Sequence, residues 1–145
     1  MAEAAQLGVK FLDHREAARQ HVTNIAAWAK LVGYKDYERS VWLTLRPYII
    51  HPVGENPLDD WRTIAHELVH FRQQPEGWPR LWMWIIRYGC SQDFRWRMER
   101  EAHLVNLRLG QYRDIARLVE SMKTFYRLSG ITAERMVAWF EQNRS

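Results

Sequence analysis

The sequence predicts a mostly helical α+β fold, with a small β-sheet or hairpin packed ahead of one central helix. Three observations carry this prediction. Beyond residue 57, apolar residues recur every three to four positions, the period of a buried helix face. Between Val41 and Ile50, β-branched and aromatic residues concentrate instead. Pro75 and Gly77, then Gly89, then Gly110 cut the helical part into separate pieces.

Taken in order, Val9 to Leu12 reads as a short strand. Asp13 or His14 opens a helix through Ala17, Ala18, Val22, Ile25, Ala26 and Trp28, ending near Gly33. Val41–Leu45 and Pro47–Ile50 form a strand pair broken at Arg46-Pro47, and Pro47 belongs on an edge if it lies in a strand at all. Asp59 or Asp60 caps a helix of about four turns reaching Gln74. Ile64, Leu68 and Phe71 bury one side of it, while Thr63, His66, His70 and Gln73 line a neighbouring side. Trp78 to Tyr88 is a short helix, apolar on several sides, for which core packing is favoured over a pocket wall or membrane contact. Ser91 or Asp93 starts a helix running through Leu104 and Leu107. Gln111 to Leu128, with Ile115, Leu118, Val119 and Met122, forms another after Gly110. Thr132 caps a last one carrying Met136, Val137 and Phe140.

At 145 residues the chain is expected to form one domain, 1–145. Met1 to Lys10 has Glu3 and no apolar core, so no secretory signal is expected. The longest apolar run, Leu81 to Ile86, is far too short to span a bilayer. A lone cysteine, Cys90, excludes an internal disulfide and suits a reducing compartment. Cytoplasmic residence follows, or virion association for a chain of phage origin. The net charge of +4 comes largely from arginines interleaved with Glu99, Glu101 and Asp114, a solvated-face pattern that disfavours nucleic acid.

The chemistry concentrates in His66-Glu67-Leu68-Val69-His70. One helical turn separates the two imidazoles, so both can grip one metal ion, with Glu67 placed to polarise a metal-bound water. This is the HExxH arrangement of zinc peptidases. Catalytic zinc usually takes three protein ligands and leaves one position for water. The third ligand is sought in Arg97-Met98-Glu99-Arg100-Glu101-Ala102-His103. Glu99 and His103 share a helix face and Glu101 points elsewhere. Glu99 is the favoured ligand, with His103 standing behind it or facing the transition state. Glu101 is the fallback, and His103 as ligand would give a three-histidine site. His14, His21 and His51 have no partner at ligand spacing and read as surface or capping residues, while Cys90 becomes a ligand only if Glu99 fails.

His66 through Gln73, followed by a basic aromatic segment and Glu99-Arg100-Glu101-Ala102, resembles the small gluzincin-type peptidase domains of bacteria and phages. Members carry HELxHxxQ on one helix and a Glu-x-Glu-Ala-like signature on the next, and the likeness covers roughly residues 40–105. The resemblance implies a minimal zincin-like domain, a glutamate as third zinc ligand, and substrate paired to an edge strand before the HExxH helix. Glu99 falls on the ligand position. Four residues later the family often places a carboxylate that orients a zinc histidine; here His103 stands there.

The expected function is therefore zinc-dependent peptide hydrolysis, with His66, His70 and Glu99 on Zn2+, Glu67 as general base, and His103, Tyr88 or Arg95 as oxyanion donor. The partner is a protein or peptide substrate, and a chain this small is suited to one dedicated partner protein. Three alternatives stand beside it: a non-catalytic zincin-fold binding or structural protein with a degenerate or structural metal site, a membrane- or nucleic-acid-binding module, and a hydrolase of a non-peptide amide.

Overall fold

The computed structural model describes residues 2–20 and 41–144, and the chain is mostly helical α+β with a small three-stranded mixed sheet. It divides into two compact units, Met1–Phe71 and Arg72–Ser145.

The first unit holds α1 (Ala2–Gln6), β1 (Lys10–Asp13), α2 (His14–Arg19), β2 (Leu43–Leu45), β3 (Tyr48–His51) and most of α3 (Trp61–Gln73). The strand order is β1-β3-β2. β3 pairs parallel with β1, Phe11 opposite Ile49, and antiparallel with β2, Thr44 opposite Ile49. Arg46 and Pro47 turn the chain from β2 into β3 through a cis peptide bond. Pro47 thus lies in the turn and needs no ladder donor, while its carbonyl accepts from the Lys10 amide at 3.0 Å.

Side chains alternate across the sheet with period two, so adjacent residues face opposite layers. Ile49 joins Ala4, Ile64, Leu68 and Phe71 under α3, whereas Ile50 joins Leu12 and Ala17 under α2. Ile49 and Ile50 are both fully buried, which a one-residue slip would preserve in hydrophobicity but not in partners. The strand directly before α3 is β3, and it is paired on both sides. Among the described residues the sheet edge on that side belongs to β2. Sequence reading placed no helix at Ala2–Gln6. The helix expected through Val22, Ile25, Ala26 and Trp28 to Gly33 lies outside the described residues beyond Arg19.

A 3-10 turn, Pro57–Asp59, delivers the chain to α3. Asp60 caps that helix by accepting from the Thr63 amide at 3.1 Å and from the Thr63 hydroxyl.

The second unit contains α4 (Trp78–Cys90), α5 (Gln92–Arg108), α6 (Ile115–Phe125) and α7 (Ala133–Asn143). α5 and α7 start on the expected caps Ser91 and Thr132, α6 starts behind Asp114 and not at the Gln111 expected, and α4 follows Gly77 with no side-chain cap. Ser91 accepts from the Phe94 amide, Asp114 from Ala116 and Arg117, and Thr132 from Arg135. Gly110, at φ +71°, ends α5 in the left-handed region, and the Gly110 and Gln111 amides cap Leu107 and Asn106. The core gathers Trp96 of α5, Leu118, Val119 and Met122 of α6, and Met136 and Phe140 of α7. Burial of each of these large side chains contributes about 1.5–3 kcal/mol. Behind them Arg100 lies 4.7 Å from the Trp139 ring centroid.

Helix α4 departs from the core-packing expectation. Leu81 is its one buried residue, whereas Trp78, Trp82, Met83 and Ile86 stand 56, 48, 70 and 54 % exposed. At 100° per residue these four fall on one arc of the helix, opposite Leu81 and Tyr88. An equally apolar composition on all sides leaves the choice of buried face to tertiary contacts, here with α5 through Trp84 and Phe94. Among the described residues, no helix is long and apolar enough to cross a membrane.

Candidate metal centre

The burial of Ile64, Leu68 and Phe71 against the sheet sets the rotation of α3, and with it the direction of the motif. His66, Glu67 and His70 are all buried, with 6, 6 and 8 % exposure. The Nε2 atoms of His66 and His70 converge to 3.2 Å, their rings at 73°. Two nitrogens held at about 2.0–2.1 Å on one tetrahedral zinc stand roughly 3.3 Å apart, so this pair has the bite of a chelate. The same spacing also fits one proton shared between neutral rings. Metal and proton thus compete for the same two atoms.

Glu67 is held from the sheet. The Thr44 hydroxyl of β2 donates to Glu67 Oε2 at 2.6 Å and lies 3.2 Å from the Glu67 carbonyl oxygen. A carboxylate this deeply buried needs such donors to offset its lost hydration. Thr44 escaped the sequence reading. Its signal was a lone polar residue between Leu43 and Leu45, where alternation points it opposite to both.

In the second unit α5 carries Glu99 and His103 one turn apart, at 2 and 7 % exposure. The Tyr88 hydroxyl of α4 donates to Glu99 Oε1, and His103 Nε2 lies 3.9 Å from Glu99 Oε2. His103 Nε2 also meets the Tyr126 hydroxyl at 3.2 Å, with the Tyr112 ring on another side at 5.9 Å. Burial pushes the Tyr112 phenol up, and Asn106 opposes it through a hydrogen bond. Tyr112, Tyr126 and Asn106 were all missed. Tyr112 and Tyr126 lie beyond Gly110, where only the folded connection brings them near His103, and Asn106 sits on α5 itself, one turn after His103.

The structure separates the two glutamates clearly. Glu101 is exposed and accepts from Gln73 Nε2 at 3.0 Å, an amide that also donates to the Met98 carbonyl. Glu99 is enclosed, and an enclosed carboxylate is the one that a cation would stabilise most. Of the three oxyanion candidates, Tyr88 is engaged with Glu99 and His103 with Tyr126. Arg95 donates to the Gly89 carbonyl at 3.5 Å and lies 5.8 Å from the Tyr88 ring centroid.

The remaining histidines divide. His14 is buried, at 3 % exposure, with Nε2 2.8 Å from the Val41 carbonyl oxygen, so it ties α2 to the start of β2 instead of lying on the surface. His51 is half-buried, with Nδ1 3.0 Å from the Pro52 carbonyl oxygen and its ring tilted against Trp42. His21 lies outside the described residues. Cys90 is a free, exposed thiol at the end of α4.

No family model, curated protein or solved structure matches the chain.

Proposed function

We propose that the protein is a zinc-dependent, gluzincin-like peptidase in which His66, His70 and Glu99 hold Zn2+ and Glu67 is the general base. The observation that carries this reading is the chelating bite of the His66–His70 pair on a buried helix face, with a buried carboxylate fixed beside it. The donor set suits the ion: two imidazoles and one carboxylate match the His2Glu composition of catalytic zinc, and leave a position for water.

Zinc in such a set lowers the pKa of a water to about 7 and polarises a carbonyl oxygen. Glu67 takes the proton of the attacking water and returns it to the leaving amine. Thr44 fixes the Glu67 carboxylate so that its reacting oxygen keeps one position through both transfers. Tyr88 plays the corresponding part for Glu99, and the Tyr126 hydroxyl meets His103, which we take as the donor to the developing oxyanion. A non-catalytic metal-binding scaffold is the competing reading, but it gives no use to a base held this way.

The direct test is elemental analysis of the protein purified without added metal. About one zinc per chain is expected, removed by chelator and restored by Zn2+. Folded protein that takes up no zinc on reconstitution overturns the peptidase reading.

Thr44 supplies a second check. Thr44→Val keeps the shape and removes the donor, so peptide hydrolysis is expected to fall about 10–100-fold with zinc content unchanged. Thr44→Ser restores the hydroxyl and most of the rate. Equal rates for the valine and serine variants would remove Thr44 from the positioning of Glu67.

A further inference from the structure

Helix α5 presents a second functional-looking face in the second unit, built from different residues. Asp93, Trp96, Arg97, Arg100 and Arg135 line an open cavity of about 350 Å3 between α5 and α7. Three guanidiniums share it with one carboxylate, leaving the lining two positive charges in excess. Among the described residues the Asp93 carboxylate pairs with Arg135, at 4.0 Å, and both are well exposed, so this pair is loose. Arg97 donates from Nε to the Asp93 carbonyl at a long 3.4 Å. The Arg100 guanidinium lies over the Trp139 and Trp96 rings, 4.7 and 6.0 Å from their centroids. Its Nε–H is buried and meets no hydrogen-bond partner among the described residues.

That N–H is closed to solvent, so the terminal N–H groups of Arg100, which make no hydrogen bond among the described residues, are the ones an anion in the cavity meets. Packing against two indoles also restrains the fork, so little side-chain entropy is lost when an anion arrives. Arg97, one turn before Arg100 on α5, and Arg135 of α7 bring two further exposed forks that can swing onto the same group. We propose that this cavity binds a phosphoryl group, with Arg100 as the fixed fork and Arg97 and Arg135 as the closing arms. A dianion matches the excess charge of the lining, and the cavity exceeds the size of a bare phosphate. The natural ligand is therefore a small phosphate monoester.

The probe is inorganic phosphate, titrated into the full-length protein at constant ionic strength while the Arg100 Nε–Hε resonance is followed. A saturable shift is expected, weakened about tenfold by Arg97→Gln and about tenfold by Arg135→Gln, the loss of one charge-assisted hydrogen bond in each. Both substituted residues are exposed, so the fold survives either change. Acetate at the same ionic strength is expected to bind at least tenfold more weakly, as a monoanion with one charge fewer to satisfy. No saturable shift, equal binding in wild type and both variants, or acetate binding as tightly as phosphate would each overturn the proposal.

Discussion

Glu67→Gln is expected to keep a full complement of zinc and to lose peptide hydrolysis by about 10²–10⁴-fold, the range general-base catalysis supplies. The amide is isosteric with the carboxylate, and its oxygen can still accept from the Thr44 hydroxyl 2.6 Å away. What it cannot do is take a proton. Replacing a charged group of 6 % exposure by a neutral one also removes a desolvation cost, so the melting temperature should hold or rise. Zinc content, melting temperature and rate measured on one preparation separate the outcomes. Cleavage at the wild-type rate with zinc bound would remove Glu67 from the mechanism. Loss of zinc together with rate would make Glu67 a ligand instead.

The second large effect concerns the third ligand. Glu99→Ala is expected to weaken zinc binding by well over the 10–100-fold that loss of an outer hydrogen bond typically costs. Glu101→Ala should leave it unchanged, because that carboxylate is exposed and engaged by Gln73. Competition against a chromophoric chelator reads both constants. Apo Glu99→Ala loses a buried carboxylate along with the Tyr88 hydroxyl's acceptor, and two opposed changes of that kind leave the apo fold near wild-type stability. Zinc bound as tightly to Glu99→Ala as to wild type would pass the ligand role to His103 or to Glu101, and the two single variants would say which.

Much of this architecture was open to sequence reasoning, for identifiable reasons. Ser91 and Thr132 announce their helices because a side-chain oxygen is the cheapest partner for a first-turn amide, whereas Asp114 was passed over for a start at Gln111. The motif helix was found from Ile64, Leu68 and Phe71, since its buried face is narrow and its polar face is not. Period alone placed Glu99 and His103 together and Glu101 apart. Other features depend on contacts between residues far apart in the chain. The parallel pairing of β1 with β3 is fixed by 38-residue-distant partners such as Phe11 and Ile49, which no local pattern encodes. The grip of Thr44 on Glu67 spans 23 residues, and the burial of His14 rests on the carbonyl of Val41. On α4 the error had a different origin. Its sequence offers two apolar faces, and hydrophobicity cannot rank them.

That ambiguity leaves an optical signature. The chain has eight tryptophans, and two of those on α4, Trp78 and Trp82, stand about half in water while Trp96 is 1 % exposed. Indole fluorescence shifts to longer wavelength as water relaxes around the excited ring, so the steady-state spectrum is a sum of a blue, core-like band and a red, solvent-like one. Collisional quenchers such as iodide reach the second population and leave the first. Whatever comes to lie against α4, be it substrate, a second copy or a surface, must withdraw those two rings from the quencher, and the protein reports the event with no label attached.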